Sequence, residues 1–95
     1  MNLYAILRRN GWKTPDDLHA AAGRSQKVGD TEMPTDVRWI RSYIMAEPDG
    51  RLGTICIYEA TSPEAIRKHA GRAELPIDEI RPIVDTVVVR ADPAK

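Results

Sequence analysis

Two runs rich in β-branched and aromatic residues, Val37 to Met45 and Leu52 to Glu59, flank the segment Glu47-Pro48-Asp49-Gly50, and that turn constrains the fold more than any other stretch. Proline fixes φ at its position and glycine accepts the positive φ that other residues resist. The chain is therefore expected to form an antiparallel hairpin from Val37 to Ala60, and every other element has to be arranged around it.

Before the hairpin, Asn2 to Arg9 mixes Leu3, Tyr4, Ile6 and Leu7 without helical start or stop signals and runs into Asn10-Gly11, which reads as a strand followed by a turn. Thr14-Pro15-Asp16-Asp17 supplies an N-cap hydroxyl, a proline at the first helical position and two carboxylates where the helix dipole favours them. In the helix so opened, Leu18, Ala21, Ala22, Ser25 and Val28 form a stripe of mostly small residues, with Gly29-Asp30 as its end. After the hairpin, Thr61-Ser62-Pro63-Glu64 repeats the cap logic with Ser62 as N-cap. Ile66, Ala70 and Ala73 make the buried stripe of a second helix, which Leu75-Pro76 stops. Ile83 to Val89, strongly β-branched, is the expected fourth strand. The order strand, helix, strand, strand, helix, strand predicts an α+β protein: a ferredoxin-like βαββαβ sandwich with a four-stranded antiparallel sheet and two helices on one face.

The 95 residues suit one domain, read as residues 1–95 with a flexible tail over 91–95. Apolar residues at 42% and charged residues at 29% give a globular rather than a disordered balance. Fourteen basic and fourteen acidic side chains cancel, so no overall field draws the chain to nucleic acid or to an anionic membrane. No apolar run approaches the roughly 20 residues that span a bilayer, and the N-terminus lacks signal-peptide order, so a cytoplasmic location is the default expectation. One cysteine and two histidines cannot assemble the usual structural zinc cluster within one chain, and any metal site needs carboxylates, water or a second subunit.

A turn centred near Asp49 is expected to set Tyr43 opposite Cys56. On that register Trp39, Arg41, Tyr43, Thr54, Cys56 and Tyr58 share one face, while Ile40, Ser42, Ile44, Ile55 and Ile57 share the other and lie under the helices. The first face would be left open. Its rings, guanidinium and thiol suit an interface between two copies, a small-ligand pocket formed by Trp39, Arg41, Tyr43, Cys56 and Tyr58, or both.

Three segments carry a family resemblance: Arg38-Trp39-Ile40-Arg41-Ser42-Tyr43, then Cys56-Ile57-Tyr58-Glu59-Ala60-Thr61-Ser62-Pro63-Glu64-Ala65, and Arg67-Lys68-His69-Ala70 followed by Leu75-Pro76. Together they resemble a family of small, mostly uncharacterised bacterial proteins named for a nickel-binding member. The resemblance runs from about Tyr4 to Asp85, and Asn10-Gly11-Trp12 departs from the family's usual beginning. It implies a ferredoxin-like fold, a homodimer in which the open sheet faces meet, and nickel as a bound metal.

The donor inventory permits nickel, which takes imidazole, thiolate and carboxylate ligands. His69, Glu59 and Cys56 are the candidate ligands, with His69 placed above His19 because it falls inside the family-like segment. Against this, His69 reads equally as a helix-flank residue, Cys56 as a buried strand cysteine with no neighbouring base, and Glu59 as a partner for local backbone donors. Asp16 and Asp17 point apart on a helix and serve its dipole. No catalytic residue is assigned. Three functions stay open: a homodimeric metal-binding protein, a small-molecule enzyme of isomerase or monooxygenase type with Arg41 holding an anion, and a non-catalytic interaction module. The strand Arg51 to Tyr58 only faintly echoes an RNA-recognition strand, and neither nucleic acid nor membrane is an expected partner.

Overall fold

The computed structural model describes residues 1–93 of the chain. Its elements are β1 (Asn2–Trp12), α1 (Pro15–Lys27), β2 (Val37–Ala46), β3 (Leu52–Ala60), α2 (Pro63–Ala73) and β4 (Glu79–Pro82). The strands form one antiparallel sheet in the order β2-β3-β1-β4, and the whole is the α+β ferredoxin-like sandwich that the element order predicts.

Both helix starts follow from their caps. Thr14 Oγ1 accepts the Asp17 N–H at 3.1 Å, and Ser62 Oγ accepts the Ala65 N–H at 3.1 Å, each with proline next in sequence. Helix α1 does not stop at Gly29-Asp30. It widens into a π-helical turn over Val28–Glu32, closed by the Met33 N–H on the Val28 carbonyl at 2.9 Å, and so buries both Val28 and Met33. Helix α2 ends on Glu74 at φ 58°, with the Leu75 N–H returning to the Ala70 carbonyl. The two helices are tied where α2 ends, because Arg24 on α1 donates from Nε to the Ala73 carbonyl at 2.8 Å.

The hairpin forms where the turn places it, but in another register. Glu47 N–H meets the Arg51 carbonyl at 2.9 Å, Gly50 N–H meets the Glu47 carbonyl at 3.0 Å, and Gly50 sits at φ 86°. Pro48-Asp49-Gly50 is thus a three-residue loop, and a loop of odd length pairs residues of like parity. Ser42, not Tyr43, lies opposite Cys56, and Tyr43 lies opposite Ile55. A bulge between Trp39 and Arg41 then shifts the pairing once more, setting Trp39 opposite Tyr58.

This exchanges the expected faces of β3 and of Trp39, while Arg41 and Tyr43 stay on the open face and Ser42 and Ile44 on the helix side, as expected. Thr54, Cys56 and Tyr58 are buried under the helices with Tyr4, Ile6 and Arg8 of β1, while Ile55 and Ile57 lie on the open face with Arg41 and Tyr43. The small residues of α1 and α2 explain why the helix side accepts large rings: Ala21, Ala70 and Ala73 are almost fully buried and leave depth for Tyr58, Tyr4 and Ile66.

The fourth strand is Glu79–Pro82 rather than Ile83 to Val89. It pairs Leu7 with Glu79 and Tyr4 with Pro82, and a last bond joins Ile83 N–H to the Leu3 carbonyl. Beyond that bond the valines pair with no strand among the described residues. Val84, Val87, Val88 and Val89 are 75–95% exposed. The segment returns to β2, where Asp92 accepts from Tyr43 Oη at 2.8 Å and from Arg41 Nη1 at 3.2 Å. Of the tail expected to be flexible, residues 94–95 lie outside the described residues.

Candidate functional site

Arg8 starts as an ordinary strand residue. Period-2 alternation along β1 puts Tyr4, Ile6 and Arg8 on one face, and the pairing of Arg8 with Thr54 turns that face towards the helices. The result is a guanidinium that is 1% exposed. Nη1 donates to the Pro76 carbonyl at 2.7 Å, and the guanidinium carbon stands 5.9 Å from the centre of the Tyr58 ring. Among the described residues Nη2 has no hydrogen-bond partner and no carboxylate pairs with Arg8. Gly53 permits the backbone approach behind it, since a Cβ there would lie 2.8 Å from the Arg8 carbonyl and 3.1 Å from the Glu47 carboxyl carbon.

Beside Arg8 a cavity of about 160 Å³ opens between α1 and the β2-β3-β1 part of the sheet. Both tryptophans of the chain line it, Trp12 from the end of β1 and Trp39 from β2, and Tyr58, Leu18 and Cys56 complete much of its wall. His19 on α1 and Ile44 on β2, both exposed, lie at its mouth, where α1 does not cover the β2 edge. The polar groups inside are largely fixed. Tyr58 Oη and Ser25 Oγ share a hydrogen bond of 2.6 Å, Trp39 Nε1 donates to Ser42 Oγ at 2.8 Å, and Cys56 Sγ donates to Thr54 Oγ1 at 3.3 Å. Burial pushes the Tyr58 phenol up from its usual pKa, so it stays neutral.

Of the expected pocket residues, Trp39, Cys56 and Tyr58 are brought together here, on the helix side, with Trp39 stacked on Tyr58 at 6.2 Å between ring centres. Arg41 and Tyr43 are not. They sit on the open face, held by Asp92. Arg8 and Trp12 were not singled out from the sequence, although the spacing Tyr4, Ile6, Arg8 was the signal that an arginine shares the buried face of β1.

The candidate metal ligands do not converge. His69 is fully buried rather than on a helix flank: Nε2 faces the Ser25 carbonyl at 2.9 Å, the ring meets Tyr58 edge-on, and Nδ1 is left without a partner. Desolvation, with nearby Arg8 adding to it, lowers the His69 pKa, so the imidazole is neutral and donates from Nε2. A free Nδ1 lone pair suits a metal, but a neighbouring guanidinium repels one. Cys56 is bound to Thr54, and Glu59 belongs to the opposite sheet face, paired with Arg38 at 3.3 Å. Among the described residues no three His, Cys, Asp or Glu side chains gather as a metal site, so the donor set of a single copy does not fit nickel.

No helix among the described residues is long and apolar enough to cross a membrane. No curated protein sequence matches the chain. The fold is similar to that of the crystal structure of SCO4226 from Streptomyces coelicolor A3(2), at a TM-score of 0.68 and 23% identity over 90% of this chain and 99% of that one. Residues 4–83 match the family described as nickel responsive protein SCO4226-like, and the chain, a small compact protein, belongs to that family.

Proposed function

We propose that this protein binds a small, largely apolar molecule in the cavity beneath α1. The carrying observation is that a void of about 160 Å³ is walled by both tryptophans and Tyr58 yet reaches the surface beside His19 and Ile44. An apolar cavity of roughly this size holds a single aromatic ring. Binding is favoured over catalysis because Cys56, the thiol in the wall, donates to Thr54 and has no histidine or carboxylate as a hydrogen-bonded base. Since both tryptophans line the cavity, intrinsic fluorescence reports on its occupancy. Titration with benzyl alcohol should change tryptophan emission saturably, with a Kd on the order of 1 mM for so small a probe. Ala22→Leu, which fills the space from α1, should abolish the change. An emission that drifts linearly and equally in both proteins would reject the cavity as a binding site.

A second reading rests on the family: a homodimeric nickel-binding protein, paired through the open sheet face. Family membership supports the metal. The dimer is supported by Ile40 and Tyr43, 43% and 42% exposed, and by the half-buried Ile55 and Ile57 on a face that no helix covers. Because one copy gathers no three donors, nickel on this reading binds where a second copy completes the site. Calorimetric titration with nickel, run beside light scattering over a protein dilution series, should then show saturable binding that disappears as the dimer dissociates. A monomer at all concentrations, or no heat of binding, removes this reading.

A further inference from the structure

We propose that the cavity beneath α1 is an anion site, taking a small flat monoanion of the aromatic carboxylate class whose charge is received by Arg8. The inference rests on the reading of the cavity as a ligand site and adds the charge of the ligand. A guanidinium carries five N–H donors in a fork that matches a carboxylate, and a buried charge is normally paired. Arg8 is buried, forms part of the cavity wall, and spends Nη1 on Pro76 while Nη2 is unmatched. The surrounding wall carries no aspartate or glutamate, and its other ionisable side chains are His19, Cys56 and Tyr58. A cation would meet Arg8 unopposed. An anion would find the unmatched N–H groups of Nη2.

The apolar part of the ligand follows from the remaining wall. Trp12 and Trp39 offer flat rings, Tyr58 is already stacked on Trp39, and a volume of about 160 Å³ accommodates one ring with a short substituent. The side-chain hydroxyls of Ser25 and Ser42 are engaged with Tyr58 and Trp39, which leaves Arg8 as the group that distinguishes a charged ligand from a neutral one of the same shape.

The test compares benzoate with benzyl alcohol at pH 7, read by tryptophan fluorescence on the full chain. Benzoate is expected to bind at least tenfold more tightly. Arg8→Met, close in length and uncharged, should erase that preference, read as the ratio of the two affinities within the variant, and Arg8→Lys should keep part of it. Equal binding of the two probes to the unmodified protein overturns the anion site and leaves the cavity reading intact, whether or not the variants fold. A preference for benzoate that survives Arg8→Met also overturns it. If neither probe binds, both the cavity reading and this inference fall.

Discussion

The two faces of the sheet divide their residues against the usual rule. The covered face holds Arg8, Thr54, Cys56 and Tyr58, with His69 of α2 packed against it, whereas the uncovered face holds Ile55, Ile57, Leu3 and Leu7. Apolar character alone therefore does not decide which side of a half-covered sheet goes under the helices. Polar groups can be buried when each finds a partner, as Tyr58 does in Ser25 and His69 does in the Ser25 carbonyl. Among the described residues, Arg8 Nη2 and His69 Nδ1 find no partner there. What the open face cannot supply, in a single copy, is cover for its isoleucines.

The sharpest way to break this contrast is to delete one isoleucine from each layer. Ile66→Ala, at a fully buried helix position, should cost about 2–5 kcal/mol in urea unfolding. Ile57→Ala on the open face should cost much less at low protein concentration. An equal loss at both sites would show that the open face is already covered by a second copy. Next in size is the buried polar pair. Ser25→Ala leaves the Tyr58 hydroxyl orphaned and should cost about 1–3 kcal/mol, whereas the double change Ser25→Ala with Tyr58→Phe should cost less than the single one, because no orphan remains.

A smaller effect is expected from pH. The His69 pKa is lowered in the folded state from 6.5, so its contribution is fully present above that value and is lost as pH falls through 6.5 towards the folded pKa, where the unfolded chain binds the extra proton. Melting temperatures taken from pH 7.5 to pH 5 should fall, and His69→Gln should flatten the part of the slope below 6.5. A slope unchanged by His69→Gln would assign the acid sensitivity elsewhere. The smallest effect belongs to the open face: Asp92→Asn, which weakens an ion pair whose two side chains are each 55% exposed, should leave the melting temperature where it is.

Much of the fold was legible because its signals are local. Thr14 and Ser62 announce their helices by cap chemistry, and Pro48-Asp49-Gly50 announces the hairpin. The site was legible only in part, because it depends on parity. The sequence groups Trp39, Arg41, Tyr43, Cys56 and Tyr58 on one open face, but only Trp39, Cys56 and Tyr58 share a face, the covered one, because the register is displaced by one residue and a bulge at Trp39 leaves no clear mark in the sequence. The fourth strand was misplaced for a different reason. The β-branched run from Ile83 to Val89 has the propensity, but the pairing with β1 ends at the Ile83–Leu3 bond, and propensity without a partner does not make a strand.

The three-residue loop Pro48-Asp49-Gly50 also bears on how this family can drift. Inserting or deleting one residue there, with β3 held in place, would exchange every β2 side chain between the two layers: Trp39, Ser42 and Ile44 would leave the cavity, and Arg41 and Tyr43 would enter it. A second change of one residue would restore the original arrangement. Loop-length variation among descendants that keep the cavity should therefore come in steps of two, or be accompanied by loss or gain of the bulge beside Trp39, so the hairpin tip acts as a parity check on the chemistry about ten residues away.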